Sequence, residues 1–176
     1  DSGGMVDVTI EIVPHHGPQV PDPDPSDGIT GLESVGNMTF RWTGHQVTRD
    51  VAAFYDLMQS DGIDDFFQAL SSFGVGAQNF VGADSAGNIG YYPHALVPLR
   101  AAAAMTAELG PYSPLPGTGE YEWLTDAQGN PRFLPDDRIP QTRNPERGWL
   151  VTANNDQIGS INDNDPLDDG IYLGWD

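Results

Sequence analysis

The chain has 176 residues, 38% of them hydrophobic, which suits one globular domain, or a large part of a bigger one, with a moderate core. Its 26 acidic residues outnumber its 7 basic ones, and the net charge of −19 argues against nucleic acid as a partner, because a polyanion would be repelled. The absence of cysteine excludes disulfides and thiolate metal sites, and no stretch approaches the ~20 apolar residues of a membrane span.

The first third of the chain predicts strands followed by a helix. Residues 5–13 alternate apolar and polar side chains with many β-branched residues, a pattern typical of a half-buried strand, which Pro14 should end. Residues 40–42 predict a short strand. Thr48 is then expected to cap a helix over residues 49–59, whose apolar side chains form a broad face.

The middle of the chain predicts a second helix and a hairpin. The helix covers residues 63–73 and has two Asp in its first turn, where carboxylates interact favourably with the helix dipole. Residues 77–82 and 89–92 predict two strands. The sequence Asp-Ser-Ala-Gly-Asn at residues 84–88 is a turn signal that joins them.

The last third is predicted to be mostly loop. An Ala-rich helix is expected over residues 101–109, and a Pro- and Gly-rich irregular loop then extends to Trp123. Residues 148–153 predict a buried strand that runs into Asn154. An acidic loop covers residues 160–170.

Two stretches raise the question of a metal site. His15 and His16 are adjacent, and on a strand their side chains would point to opposite faces, so they are not expected to chelate one metal. Residues 163–170 are rich in carboxylates, which calcium prefers, but Leu167 occupies a ligand position of the EF-hand pattern. A shared calcium site and a solvated acidic loop both remain open.

The acidic composition also bears on the source. Of the 26 acidic residues 20 are Asp, they are spread along the chain, and there is no Lys. This suits a halophile, because the Debye length is only ~3 Å at about 1 M salt and self-repulsion is screened. An acidic secreted enzyme from an ordinary source is the alternative. The halophile hypothesis predicts that the circular dichroism signal of the fold is lost at millimolar salt; an unchanged signal would count against it.

Six phrases of the sequence occur in one order and at characteristic spacings. They are His16-Gly17-Pro18, residues 80–91, residues 116–119, Glu122-Trp123, residues 144–149 and residues 152–155. Together they resemble the middle of the β-subunit of the penicillin acylase (penicillin amidase) family, and the resemblance covers residues 8–176. Composition and spacing without this resemblance would leave the function unidentified.

The resemblance implies an α+β fold, part of the four-layer αββα fold of N-terminal nucleophile hydrolases, with mainly antiparallel strands and two or three helices. It implies that residues 1–176 are one unit, an internal fragment of the β-subunit. The family nucleophile is an N-terminal Ser followed by Asn, whereas Ser2 follows Asp1 and precedes two Gly. We therefore expect the nucleophile to lie outside this chain, and this chain alone to be inactive.

The family's chemistry is cleavage of an acyl amide bond through an acyl-enzyme. The α-amine of the nucleophilic Ser, with a pKa near ~8, accepts the hydroxyl proton. An Asn side chain helps to form the oxyanion hole, and the family motif places this role at Asn154. An amide donor that is fixed in place before charge develops suits such a role.

The resemblance also implies a structural calcium, which is held partly by a backbone carbonyl and partly by an Asp. These positions fall at Pro111 and Asp169. The acidic loop differs from the family pattern, so Asp163, Asp165 or Asp168 are alternatives to Asp169. The family's other calcium ligands lie outside this chain.

The expected partners are the remaining α-subunit and β-subunit segments of the same precursor and a small amide substrate. Penicillin, another β-lactam, an acyl-homoserine lactone and a different amide all stay open, because the family's acyl pocket is built mostly from other segments. The resemblance implies an extracytoplasmic or secreted location. The alternative function is an acidic calcium-binding or structural module without catalysis, which would lack an upstream Ser-Asn pair.

Overall fold

The structure is a computed structural model that describes residues 9, 11–20, 38–106, 110–111 and 113–153. The chain divides into two compact units, residues 1–47 and residues 48–176. Two α-helices, three short 3₁₀ helices and antiparallel strand pairs make up the described elements, so the predicted α+β class with mainly antiparallel strands is confirmed. No helix within the described ranges is long and apolar enough to cross a bilayer.

The first unit contains a three-stranded antiparallel sheet. Its strands are β1 (Ile12–Val13), β2 (Gly17–Val20) and β3 (Met38–Thr39), in the order β1-β2-β3. The predicted first strand does end before Pro14, but β2 was not predicted. Gly17 is required at the start of β2, because its φ is +90° and a Cβ there would lie 2.3 Å from the carbonyl oxygen of Phe40.

Two predictions in this unit are wrong. Residues 40–42 are not a strand, since the chain leaves β3 for a 3₁₀ helix over Thr43–His45, where the ring of His45 lies edge-on to those of Phe40 and Trp42. The histidine pair lies in the turn between β1 and β2, and the two rings lie 4.2 Å apart. The argument that His15 and His16 point to opposite faces therefore fails, because it assumed a strand.

The second unit begins with two α-helices close to the predicted ranges. Helix α1 covers Asp50–Met58, and helix α2 covers Ile63–Leu70. Helix α2 ends three residues early because i→i+3 bonds, from Ser72 to Ala69 and from Phe73 to Leu70, tighten its last turn. Thr48 does not cap α1. The N-cap residue of α1 is Arg49, which makes no side-chain cap bond. The Thr48 hydroxyl instead donates to the carboxylate of Asp50.

A second antiparallel sheet packs against α2. Its strands are β4 (Gln78–Ala83), β5 (Ile89–His94) and β6 (Thr142–Arg143), in the order β4-β5-β6. Strands β4 and β5 form the predicted hairpin, whereas β6 was not predicted. The core lies between helix and sheet, and its buried members are Phe66, Phe67, Leu70, Tyr92, Leu134 and Ile139. Burial of these large apolar side chains, each contributing about 1.5–3 kcal/mol, is the main source of stability.

The last two predicted elements do not form as expected. The described part of residues 101–109 contains only a 3₁₀ helix over Ala102–Ala104, since Ala101 donates its amide to the carbonyl of Glu122 and Met105 leaves helical geometry. Residues 148–153 form no strand, because no described strand pairs with them, and Trp149 is 55% exposed. Long-range pairing of Ala101 thus overrides the local helix preference of the first stretch, whereas the β preference of the second finds no partner strand among the described residues.

Candidate functional site

Of the three predicted site residues, the structure describes only Pro111. Asn154 and Asp169 lie outside the described residues, as does the acidic loop. Pro111 is partly buried in a turn, in which both the amide and the hydroxyl of Ser113 donate to the carbonyl of Gly110. The described part of the candidate site is therefore the framework that leads into Asn154, namely β5, β6 and residues 144–153.

A set of polar bonds holds the start of this segment to the hairpin. We name Asn88, Ile89 and Asn144 the Asn clasp. The amide of Asn144 donates to the Ile89 carbonyl over 2.9 Å, and the Asn144 side-chain oxygen accepts from the Ile89 amide over 2.8 Å. The side-chain nitrogen of Asn144 also donates to the Asn88 side-chain oxygen over 3.0 Å. These bonds fix the chain end of β6 against the first residue of β5.

The backbone at Asn144 explains why asparagine suits this position. Its φ is +44°, and Asn144 is the only described non-glycine residue with a positive φ. Asparagine tolerates this left-handed region better than most residues, and its amide here also bonds Asn88 and Ile89. The sequence phrase at 144–149 thus begins with a residue that both turns the chain and bonds it to β5.

A tight turn follows the Asn clasp. The amide of Gly148 donates to the carbonyl of Pro145 over 2.8 Å, and Gly148 has φ +73°, which favours glycine. The guanidinium of Arg147 lies 4.5 Å from the ring centroid of Trp149. Its Nε also donates to the backbone carbonyl of Trp149 over 3.0 Å. The chain that approaches Asn154 is thus shaped by local contacts up to Trp149, five residues before it.

The turn before β5 is built on the carboxylate of Asp84. One oxygen accepts from the amides of Ala86 and Asn88, and the other accepts from the Asn88 side chain and from the Ile63 amide at the first residue of α2. The hydrogen bonds from the Asn88 side chain and amide chiefly lower the pKa of Asp84. Asp84 therefore stays ionised and links the hairpin turn to the helix N-terminus.

The same turn occurs a second time at residues 126–130. The carboxylate of Asp126 accepts from the amides of Gln128 and Asn130 and from the Asn130 side chain, and these hydrogen bonds, those from Asn130 first, lower the pKa of Asp126. In both turns the Asp amide donates to the Asn carbonyl. The two turns differ in one bond, because only the Asp84 carboxylate also accepts from a helix residue, the Ile63 amide of α2.

This pair of turns offers a matched test of the helix contact. Asp84→Asn leaves one acceptor oxygen for the four donors that two oxygens now serve and removes the negative charge at α2, whereas Asp126→Asn changes an equivalent turn that lacks the bond to a helix. We expect the decrease in the thermal unfolding midpoint to be roughly twice as large for Asp84→Asn as for Asp126→Asn. Thermal unfolding by circular dichroism measures both. Equal decreases would show that the bond to Ile63 adds nothing.

The pH dependence of this contribution follows from the lowered pKa. Because the folded state holds the pKa of Asp84 below its ordinary value of 3.8, the stability that Asp84 contributes is fully present above that value. It is lost as the pH falls through the folded-state pKa. The difference between the parent and Asp84→Asn should therefore shrink in acid below about pH 3.8.

A buried histidine lies at the other end of β5. His94 donates from Nδ1 to the carbonyl of Phe73, and its Nε2 lies 3.4 Å from Oδ1 of Asp136. Burial and the adjacent carboxylate of Asp136, which accepts a hydrogen bond from the Tyr92 hydroxyl, raise the pKa of Tyr92. His94 thus bonds the end of β5 to Phe73 and lies beside the 3₁₀ helix Asp136–Arg138, so its buried ring helps to hold these segments together.

Comparison with known proteins identifies the family. A sequence model described as penicillin amidase matches residues 3–176. The chain belongs to the penicillin amidase family. It is 34% identical over 90 residues to the penicillin acylase 2 proenzyme of Pseudomonas sp. (strain SE83), a match that covers 51% of this chain and 10% of that protein.

A solved structure supports the fold. The chain is similar to the thermostable penicillin G acylase from Alcaligenes faecalis, with 26% sequence identity and a TM-score of 0.64 over 89% of this chain and 25% of that chain. The chain thus spans about a tenth of the length of the Pseudomonas proenzyme and a quarter of the length of the Alcaligenes faecalis chain. The resemblance to the penicillin amidase family is confirmed.

Sequence reasoning missed two features of the framework. The Asp-x-x-Gly-Asn pattern occurs at 84–88 and again at 126–130, and searching for the first pattern along the chain would have found the second turn. The bonding role of Asn144 had no comparable signal. Its partner Ile89 lies 55 residues earlier, and nothing in the local sequence indicates the pairing.

Proposed function

We propose that these residues are part of an amidohydrolase that cleaves an acyl amide bond through an acyl-enzyme, with an N-terminal Ser nucleophile outside residues 1–176. The observation that supports this most is the family match over residues 3–176. The named relatives are penicillin acylases, so the substrate class we propose is an N-acyl compound such as a penicillin.

Within this enzyme we assign Asn154 to the oxyanion hole. A side-chain amide there would donate to the oxyanion of the tetrahedral intermediate, the step at which preorganised donors have most effect. The Asn clasp and the turn at 145–148 support this role, since they restrain the segment that leads into Asn154. The nucleophile and its base would come from other segments of the precursor.

Intact mass of the full-length gene product tests the proposal. We expect two chains whose masses sum to that of the precursor plus one water, because the peptide bond is hydrolysed, or to less if a linker is removed, with a Ser at the start of one of them. The same sample should release chromophore from a phenylacetyl amide. A single uncleaved chain without turnover would contradict the proposal and favour a structural or calcium-binding module.

We extend the proposal to a structural calcium held by the carbonyl of Pro111 and the carboxylate of Asp169. Oxygen donors of these two kinds suit calcium, and Pro111 lies in a partly buried turn whose polar bonds involve the neighbouring Gly110 carbonyl. Chelation with EGTA should lower the thermal midpoint of the full-length protein, and added calcium should restore it. Asp169→Asn should reduce this response. A midpoint that is independent of chelator would exclude the site.

A further inference from the structure

Asn144 occupies the next position in the pairing of β5 with β6. This pairing ends at Arg143, which lies opposite Gly90. A strand that continued would place Asn144 opposite Ile89, and in such a hydrogen-bonded pair each residue donates its amide to the backbone carbonyl of the other. The Asn144 amide does donate to the Ile89 carbonyl, but the Ile89 amide donates to the side-chain oxygen of Asn144. The Asn144 side chain therefore provides the acceptor that a continued strand would provide from its backbone.

This exchange of acceptors lets the backbone turn away from the sheet. The φ of Asn144 is +44°, so residue 144 has left the extended conformation of a strand. Pro145 follows, and its ring restricts its own φ. The bond from the Gly148 amide to the Pro145 carbonyl then closes a tight turn. The direction in which the chain leaves β6 is thus set by Asn144 and the turn that follows it.

The point at which the chain leaves β6 is also bonded to the start of helix α2. The side-chain nitrogen of Asn144 donates to the side-chain oxygen of Asn88, and the side-chain nitrogen of Asn88 donates to Oδ2 of Asp84. The same oxygen of Asp84 accepts from the amide of Ile63, the first residue of α2. A continuous series of side-chain bonds therefore relates the end of β6 to the hairpin turn and to the helix.

The bonds of the Asn144 side chain are poorly placed to serve stability alone. They are exposed, and water can replace an exposed hydrogen bond at little cost. They do select one path for the chain toward Asn154, the residue that we assign to the oxyanion hole, ten positions later. A catalytic donor must be held within about 0.5 Å of its productive position before charge develops.

We propose that Asn144 is a positioning residue for the oxyanion donor of the enzyme. Its side chain bonds to Ile89 and Asn88, so the backbone can turn toward Asn154 while β6 stays paired with β5. The inference rests on the proposed function, because Asn144 acts through Asn154. Its effect on kcat is therefore indirect.

Replacement of Asn144 by glycine in the full-length, processed enzyme tests the inference. Glycine adopts the left-handed φ without strain and keeps the backbone bond to Ile89, but it lacks both side-chain bonds. We expect Asn144→Gly to lower kcat roughly 10- to 100-fold, since displacement of a catalytic group by about 1 Å can cost ~10²-fold. KM and the thermal unfolding midpoint should change little. A kcat within about threefold of the parent would overturn the inference.

A matched pair of variants separates positioning from stability. Asn88 and Asn130 occupy equivalent places in the two Asp-x-x-Gly-Asn turns, and each donates its side-chain nitrogen to the carboxylate of its own turn. Among the described bonds of these two side chains, only Asn88 also accepts from Asn144. Asn88→Ala should therefore lower kcat, whereas Asn130→Ala should leave kcat at the parent value, with similar decreases in the thermal midpoint. Equal kcat values for the two variants would overturn the inference.

A double-mutant cycle shows whether Asn144 acts through Asn154. If it does, Asn144→Gly should lower kcat in the parent but hardly at all in Asn154→Ala, because the donor that it positions is already absent. An equal further loss in Asn154→Ala would overturn the inference. An intact kcat in Asn154→Ala would contradict the oxyanion assignment as well. A loss in Asn154→Ala without one in Asn144→Gly would contradict the positioning role alone.

Discussion

Replacing Asn154 with alanine should lower kcat of the complete, processed enzyme roughly 10²–10³-fold, equivalent to about 2.7–4 kcal/mol, while KM changes little. The reason is that an oxyanion donor interacts more strongly with the transition state than with the bound substrate. Steady-state kinetics with a chromogenic amide measure both constants. Asn155→Ala is the control at the adjacent position, and we expect it to cost much less.

A turn residue at position 154 would behave differently. Loss of one typical hydrogen bond costs about 0.5–1.5 kcal/mol of stability and would leave kcat nearly intact. The comparison requires protein that intact mass shows to be processed, since an unprocessed variant would be inactive for another reason. A processed Asn154→Ala enzyme whose kcat stays within about threefold of the parent, under ~1 kcal/mol, would exclude the oxyanion role.

Local signals account for the parts of the fold that the sequence predicted well. The hairpin of β4 and β5 was predictable because Asp84, Gly87 and Asn88 have side chains and backbone freedom that suit the turn. Helix α2 was predictable because its apolar residues recur at helical spacing and two Asp occupy its first turn. In both cases the determining contacts lie within a few residues along the chain.

The elements that were missed depend on distant partners. Strand β6 has only two residues, and it exists because Thr142 and Arg143 pair with Tyr91 and Gly90 about fifty residues earlier. The Ala-rich stretch after residue 101 has high helix propensity, yet Ala101 is extended and bonded to Glu122, and the described residues after it form only the 3₁₀ helix Ala102–Ala104. Propensity and periodicity carry no information about such pairings.

The candidate site likewise has one part that could be predicted from the sequence and another part that required the structure. The role proposed for Asn154 comes from a resemblance between sequences, which needs no knowledge of the fold. The Asn clasp required the structure, because it joins Asn144 to Ile89 across 55 residues. The buried position of His94 likewise follows from contacts with Phe73 and Asp136, which are 21 and 42 residues away.

Phe67 should be the most sensitive position of the described core. Its ring stacks on Tyr92 with centroids 5.2 Å apart, contacts Phe66 edge-on, and has the guanidinium of Arg143 at 3.9 Å from its centroid. Arg143 is in turn ion-paired with Asp64, so this ring joins α2, β5 and β6. Phe67→Ala should cost about 3–5 kcal/mol, because it removes a buried ring and leaves a cavity where the three elements meet.

Two further variants separate the causes of that loss. Phe67→Leu keeps most of the apolar volume but loses the stacking and the cation–π contact, so we expect about 1–2 kcal/mol. Tyr55→Ala changes an aromatic residue that is mostly exposed, and within this chain it should cost under about 0.5 kcal/mol. Urea unfolding followed by tryptophan fluorescence measures all three. Unfolding of Phe67→Ala at the same urea concentration as Tyr55→Ala would show that the Phe67 ring does not hold α2 to the sheet of β4, β5 and β6. The contact between β6 and α2 would then depend on the ion pair of Arg143 with Asp64 alone.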